Sequence, residues 1–182
     1  VPKEDIKFLG GHPDRGTPGI EASTGSLGHG LGIALGMSVA ETLKGSDCMI
    51  YVMVSDGELQ EGSTWEAVLM AGHLKLPNLV LFVDLNDFNT LGRISHIHPA
   101  LYPLLEKFMA FGWEAAKANG HKVEEVFNIV QNRRKLRPFA LIGKTVKGRG
   151  VSFMQEVPIW HYRSPNKEEY AQAVSQLFEV AF

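Results

Sequence analysis

The sequence predicts an α/β fold with a doubly wound, mostly parallel sheet and helices on both faces. Two observations lead to this prediction. Apolar runs of strand length alternate with segments whose apolar residues recur at helical spacing, and residues 49–92 read as a complete strand-helix-strand unit. A chain of 182 residues with 45% apolar content is long enough for one domain with a proper core, so we treat residues 1–182 as a single domain.

The strand-helix-strand unit is the best defined part of the predicted fold. An apolar strand from Met49 breaks at Ser55-Asp56-Gly57, a helix follows over roughly residues 61–76, and a second strand closes at Asp84-Leu85-Asn86. A right-handed crossover makes the two strands parallel and brings their carboxyl ends to one edge of the sheet, where α/β proteins bind ligands. Asp56 and Asn86 are therefore expected to face one crevice.

The remaining segments continue the alternation. Residues 11–30 are rich in Gly, Pro, Ser and Thr without a period and predict a long loop, which in a compact domain is usually functional. The other predicted elements are a helix from this loop to about Gly45, a helix over Leu101–Phe111, a strand over Trp113–Ala118, a helix over Val123–Arg134, a strand after Pro138 and an amphipathic helix over Glu168–Val180.

Composition narrows the range of partners. The formal net charge is −2 and the charges form no runs, so no nucleic-acid or anionic-membrane surface is indicated. No apolar run reaches membrane-spanning length and the first residues lack a secretion-signal pattern, so we expect a cytoplasmic protein. The single cysteine, Cys48, excludes an internal disulfide and is predicted to be a small core residue.

The residue types at the two strand ends suit a hard cation held against a phosphate. The carboxylate of Asp56 and the amide oxygen of Asn86 are ligands that Mg²⁺ or Ca²⁺ prefers, and diphosphate oxygens could complete the coordination shell. Gly57 lets the backbone approach a phosphate closely. Taken singly, each of these segments is an ordinary turn, so the prediction depends on their combination.

That combination resembles the thiamine-diphosphate signature of the transketolase family, in which Gly-Asp-Gly is followed by Asn after just under thirty residues. Here residues 58–85 separate Gly57 from Asn86, and Ser55 replaces the usual first glycine. The resemblance implies that Asp56 and Asn86 supply side-chain ligands to Mg²⁺ (or Ca²⁺) and that Phe88 supplies its carbonyl. It also implies that Gly57, Glu58 and Asn86 bind the cofactor, thiamine diphosphate.

Two further segments resemble the same family. The loop contains His12-Pro13-Asp14, residues 17–21 and residues 24–30, and the resemblance implies that His12 lies near the reacting carbons of a sugar while Gly25 and Leu27 contact the thiamine rings. Residues 148–166 carry a Gly-x-Gly and a Trp-His pair, which implies that His161 approaches the substrate or the diphosphate. The family's shorter chains differ at Tyr162-Arg163-Ser164, where they commonly carry a Gly-Lys-Ala type of run.

Glu61 and Glu66 allow two interpretations. From the residues alone they belong to a solvated helix face, with Glu61 favoured by the dipole of the first turn. The resemblance instead implies that both lie at a subunit interface, in an acidic proton-relay network that links paired active sites.

The resemblance implies an enzyme that depends on a second chain. This chain resembles the N-terminal, diphosphate-binding half of a split transketolase, and we expect it to lack the domain's first helices. Its partner would be a C-terminal transketolase subunit carrying the pyrimidine-binding domain, in an α2β2 heterotetramer with a large apolar interface. The expected activity is transfer of a two-carbon ketol unit from a ketose or its phosphate to an aldose or its phosphate.

Three alternatives stay open. The first is half of another thiamine-diphosphate enzyme, of the 2-oxo-acid dehydrogenase or deoxyxylulose phosphate synthase type, although residues 58–62 and the Thr-Pro-Gly loop favour transketolase. The second is a noncatalytic regulatory subunit on the same fold. The third, a nucleotide-binding module, is disfavoured because the first strand-helix turn carries neither a Gly-x-Gly-x-x-Gly fingerprint nor a Gly-Lys-Ser/Thr loop.

Overall fold

The computed structural model describes residues 12–180, with the side chains of residues 179 and 180 excepted. The strands are β1 (Ile50–Ser55), β2 (Leu79–Leu85), β3 (Phe88–Asn89), β4 (Gly92–Arg93), β5 (Glu114–Asn119) and β6 (Phe139–Lys144). The α-helices are α1 (Gly30–Lys44), α2 (Gly62–Leu74), α3 (Ile94–Ile97), α4 (Leu104–Ala110), α5 (Val123–Gln131) and α6 (Lys167–Val180).

The main sheet has four parallel strands in the order β1-β2-β6-β5. Its register pairs Ser55 with Asp84 and Asp84 with Gly143, so the carboxyl ends of three neighbouring strands are level. This confirms the α/β fold class and the predicted parallel strand-helix-strand unit. The residues that follow β1 and β2 therefore lie at one edge of the sheet, where α/β folds place their ligands.

The helices cover the two faces of the sheet unequally. One face packs against α1, α2 and α4 in a large core that includes Leu81 and Phe108. On the other face, α5 covers β5 and β6 in a smaller core around Leu141. Within residues 12–180, the β1 side of that second face is left open, and Met53 is 72% exposed there. Helices thus lie on both faces as predicted, but the second face is covered only in part.

Some element boundaries differ from the predictions for identifiable reasons. A short 3-10 turn at Pro99–Leu101 precedes α4, and Pro103 caps that helix, so it begins at Leu104 rather than Leu101. The helix α5 ends at Gln131 instead of Arg134. A second 3-10 turn, Glu58–Gln60, precedes α2 and delays its start to Gly62.

The prediction that Cys48 is a core residue is wrong. The strand begins at Ile50, and Cys48 lies exposed in the connection that leads into it. Its amide donates to the hydroxyl of Ser46 as part of that turn. None of the helices in the described part of the chain is long and apolar enough to cross a membrane.

The helix α2 is fastened tightly to the turn between α4 and β5. The indole nitrogen of Trp113 donates to the carbonyl of Val68 at 2.8 Å. A Cβ atom added at Gly72 would lie 1.9 Å from the carbonyl oxygen of Phe111, far inside contact distance. Only glycine allows the helix to approach the backbone this closely.

We therefore expect Gly72→Ala to lower the free energy of unfolding by at least about 2 kcal/mol, because the helix must move away from a backbone carbonyl that cannot give way. Urea unfolding followed by circular dichroism measures this change. The matched control is Gly36→Ala in the middle of α1, where a Cβ meets no atom within 4 Å. That variant should be neutral or stabilised by up to about 1 kcal/mol. Equal effects of the two substitutions would contradict the prediction.

Candidate functional site

Asp56 is the most buried polar group at the carboxyl edge of the sheet. It follows β1 and is completely buried. Its Oδ2 accepts a hydrogen bond from the amide of Asp87 at 2.6 Å, while its Oδ1 is buried without a hydrogen-bond partner. An unpaired buried carboxylate oxygen is costly unless a cation or a proton binds it.

Electrostatics supports the same interpretation. Burial raises the pKa of Asp56 to about 6, outweighing the backbone amides of Asp87 and Gly57, which lower it. The nearby carboxylates of Asp84 and Asp87 add to the increase. The ionised form of Asp56 thus lacks a positive partner among the described residues, and a bound cation would supply one.

Asn86 is oriented by a residue that the sequence analysis did not single out. Its Nδ2 donates to Oδ2 of Asp84 at 3.0 Å, and the other carboxylate oxygen of Asp84 accepts from the hydroxyl of Thr145. These bonds assign the amide its direction and leave Oδ1 of Asn86 to accept from the amide of Phe88 at 2.9 Å. The sequence does contain a signal for this role of Asp84, because a carboxylate two residues before the predicted ligand lies at the end of the same strand.

The donors at this edge fit a magnesium site. Asp56 and Asn86 offer oxygen atoms, and the carbonyl of Phe88 lies two residues further along the chain. Within residues 12–180, no group of three or more His, Cys, Asp or Glu side chains could hold a metal without other ligands. Mg²⁺ is typically bound through one or two carboxylates, with phosphates and waters completing its octahedron. The residues present therefore fit a Mg²⁺ ion that is shared with a phosphorylated ligand.

The glycine-rich loop is tied to the turn after β1. Oε1 of Glu58 accepts from the amide of Gly28 at 3.2 Å, and the hydroxyl of Ser63 donates to the carbonyl of Gly28 at 2.9 Å. Burial raises the pKa of Glu58. Gly28 has a φ of 83°, and a Cβ there would lie 2.3 Å from Oγ of Ser63. Glu58, which the resemblance assigned to cofactor binding, thus also holds the loop in place.

Two of the loop residues singled out from the sequence, His12 and Gly25, are in contact. The ring of His12 packs against Gly25, where an added Cβ would lie 3.0 Å from its Cδ2. Leu27 is 55% exposed, so its side chain is accessible to an apolar ligand. The imidazole of His12 is exposed as well.

A cleft of about 480 Å³ lies on the α5 side of the same edge, and Asp84, Asn86, His121 and Lys147 are among the residues that line it. Nε2 of His121 accepts from the amide of Val146 at 2.8 Å and so holds the loop after β6. His161 closes a 3-10 turn, and burial together with Lys147 lowers its pKa. Lys147 thus links the cleft electrostatically to His161.

Glu61 and Glu66 occupy the start of α2. Glu61 is the half-buried N-cap residue, and an added Cβ at Gly28 would lie 2.9 Å from its Cβ. Glu66 is exposed, and so are Leu69 and Met70, which lie on the same side of the helix at helical spacing. The face that carries Glu66 is therefore not a purely polar, solvated face.

One protein-family model covers most of this chain. The model of the transketolase thiamine diphosphate binding domain matches residues 7–177. The chain belongs to the transketolase family. This confirms the family resemblance and the thiamine-diphosphate-binding domain type.

This chain is similar to subunits of two named transketolases. It is 37% identical over 175 residues to an apulose-4-phosphate transketolase subunit from Phocaeicola vulgatus, covering 94% of this chain and 62% of that protein. It is 36% identical to the 6-deoxy-6-sulfo-D-fructose transketolase subunit SqwG of Clostridium sp. (strain MSTE9), with coverage of 93% and 62%. The chain thus spans less than two thirds of the length of these relatives.

Solved structures agree with this assignment. The crystal structure of transketolase from Campylobacter jejuni superposes with a TM-score of 0.84 at 30% identity, covering 94% of this chain and 28% of that one. The sheet edge that carries Asp56 and Asn86 is therefore part of a transketolase-type diphosphate-binding domain.

The raised pKa of Asp56 predicts that ionisation of this carboxyl lowers the stability of the metal-free protein. Because the folded carboxyl has a pKa of about 6 against an ordinary value of 3.8, the metal-free protein loses stability as the pH rises from about 4 through 6. Asp56→Asn removes that cost, so we expect the metal-free variant to be more stable than the wild type by about 1–3 kcal/mol at pH 8.

Urea unfolding with chelator present, at pH 8 and at pH 4, measures this difference. The gain should shrink at pH 4, where the wild-type carboxyl is protonated in the folded state. A variant that is less stable than the wild type at pH 8 would show that the carboxylate is compensated by other groups.

Proposed function

We propose that this chain is the N-terminal, thiamine-diphosphate-binding subunit of a split transketolase. It would transfer a two-carbon ketol unit from a ketose or ketose phosphate to an aldose or aldose phosphate. The observation that carries the proposal is the unpaired, buried Oδ1 of Asp56 beside Asn86, at the edge where the parallel strands end. The names of two relatives, each a transketolase subunit, favour the split form.

Different residues at the sheet edge would bind the metal ion and the diphosphate. Asp56 and Asn86 would hold Mg²⁺ (or Ca²⁺) through side-chain oxygens, together with the carbonyl of Phe88. The amide of Gly57 would contact the diphosphate, and Glu58 ties the glycine-rich loop to the same turn through the amide of Gly28. When bound, thiamine diphosphate supplies the electron sink that allows a carbon-carbon bond beside a carbonyl to break.

The loop and the C-terminal segment would position the sugar. Gly25 and Leu27 would contact the thiamine rings, and His12, packed on Gly25, would lie beside the reacting carbons. Burial and Lys147 lower the pKa of His161, which favours the neutral imidazole. A neutral imidazole nitrogen can accept a proton from a sugar hydroxyl and return it, which is the role we assign to His161.

Assembly would complete the site. The exposed side of α2 carries Glu66, Leu69 and Met70, and Leu69 is 57% exposed. Exposed apolar side chains that flank a carboxylate suit a subunit interface better than a solvated face. We place Glu61 and Glu66 in that interface, in an α2β2 assembly with a C-terminal subunit that carries the pyrimidine-binding domain. The cytoplasmic location remains a prediction.

Calorimetric titration of thiamine diphosphate tests the proposal. The full chain is titrated with Mg²⁺ and with chelator, alone and together with its C-terminal partner subunit. We expect binding that requires the metal and tightens with the partner, because the partner would enclose the rest of the cofactor. Asp56→Ala should abolish the metal-dependent component.

Two outcomes would contradict the proposal. If folded protein binds no cofactor in any mixture, the chain is a noncatalytic subunit on the same fold. If cofactor binds but a screen of ketose donors and aldose acceptors shows no transfer while 2-oxo acids react, the chain belongs to another thiamine-diphosphate enzyme.

The proposed interface makes a separate prediction. Leu69→Glu places a charge in a surface that must lose its water, so we expect the association constant of the assembly to fall by at least about tenfold. Sedimentation velocity measures the assembly. The control is Leu136→Glu, at a leucine that is 71% exposed in the connection before β6, at the opposite edge of the sheet. An assembly that tolerates Leu69→Glu as well as Leu136→Glu would place the interface elsewhere.

A further inference from the structure

Asp87 follows Asn86 directly, and both oxygens of its carboxylate accept hydrogen bonds. Its carboxylate accepts four hydrogen bonds, from the amide of Ser95 at 2.8 Å, the hydroxyl of Ser95 at 2.7 Å, the hydroxyl of Tyr102 at 3.0 Å and the Nη1 of Arg93 at 3.3 Å. A carboxylate offers about four acceptor positions. The side chain of Asp87 is therefore saturated and has no position left for a metal ion.

The backbone of Asp87 connects this side-chain cluster to Asp56. Its amide donates to Oδ2 of Asp56 at 2.6 Å, and its carbonyl accepts from the amide of Ile94 at 2.9 Å. Because the amide occupies Oδ2, the oxygen of Asp56 that remains bare is Oδ1. The same residue thus selects which oxygen of Asp56 is available and borders Asn86 in the chain.

The turn needs this support. Asp87 has a φ of 68°, in the left-handed region that Asp and Asn tolerate better than most residues. Residues 93–102 contact Asp87 through its carboxylate and through its backbone carbonyl. Removing the carboxylate takes away four of the hydrogen bonds that hold the turn.

We propose that Asp87 is a positioning residue of the metal site, one that sets metal affinity without touching the ion. The proposal rests on the proposed function, since it assumes a metal held by Asp56 and Asn86. Residues that orient metal ligands through hydrogen bonds typically change metal affinity by 10–100-fold when they are replaced. The charge of Asp87 alone does not explain such an effect, because Arg93 pairs with it.

Titration with Mn²⁺, followed by electron paramagnetic resonance of the free ion, tests the proposal. The full chain assembled with its partner subunit is titrated in the presence of thiamine diphosphate. For Asp87→Ala we expect the Kd for Mn²⁺ to rise by about 10–100-fold, with cofactor binding restored at saturating Mn²⁺. Asp87→Asn should lie between Asp87→Ala and the wild type, because Asn keeps the left-handed turn and one acceptor oxygen.

The matched control is Glu114→Ala. The carboxylate of Glu114 also accepts from a loop amide, that of Arg134, but it lies at the start of β5, at the opposite edge of the sheet. Its loss should leave the Kd for Mn²⁺ unchanged.

The outcomes separate this inference from the proposed function. If the wild type shows no Mn²⁺-dependent cofactor binding, the proposed function fails and this inference fails with it. If the wild type binds and Asp87→Ala binds Mn²⁺ equally well, only the positioning role is wrong. Should Asp87→Ala fail to assemble, Tyr102→Phe and Ser95→Ala each remove one hydrogen bond to Asp87. Unchanged Kd values in both would overturn the proposal.

Discussion

The buried carboxylate of Asp56 is the constraint around which the site is organised. Its Oδ1 has no hydrogen-bond partner, and its burial raises the pKa to about 6. The free protein therefore carries an unpaired acidic group at the sheet edge, at a cost to its stability above pH 6. Proteins retain such costs where function requires them, and a site that only a cation completes is one such case.

Three further acidic residues hold the segments around that carboxylate in place. Asp84 orients the amide of Asn86, the amide of Asp87 occupies Oδ2 of Asp56, and Glu58 ties the glycine-rich loop to the turn after β1. The carboxylates of Asp84 and Glu58 accept hydrogen bonds from protein donors. Asp87 acts on Asp56 through its backbone amide. The parallel register of β1, β2 and β6 places Ser55, Asp84 and Gly143 level, so the turns that carry Glu58 and Asp87 begin at the same edge of the sheet.

Within the described part of the chain, apolar side chains are exposed on α2 and on the second face of the sheet. On α2, exposed apolar residues flank Glu66, and on the far face of the sheet Met53 remains exposed beside Phe82. The first group lies on α2, the helix that follows the turn holding Asp56, so one element would join the proposed subunit interface to the proposed metal site. Assembly and cofactor binding are then expected to be coupled through α2, in the reciprocal way that any linked pair of equilibria is.

Hydrophobic patterning determined the fold class, the alternation of the main-sheet strands with their covering helices, and the placement of Asp56 and Asn86 at one edge. These depend on local periodicity and on the geometry of a parallel crossover, whereas the short elements β3, β4 and α3 were not predicted. The patterning also did not determine the roles of Asp84 and Asp87, the exposure of Cys48 or the open part of the second sheet face. Those depend on contacts between residues far apart in sequence, such as the hydrogen bond from Asp87 to Asp56 across the strand-helix-strand unit. Only tertiary structure decides such contacts, because no local pattern records which donor a buried carboxylate will meet.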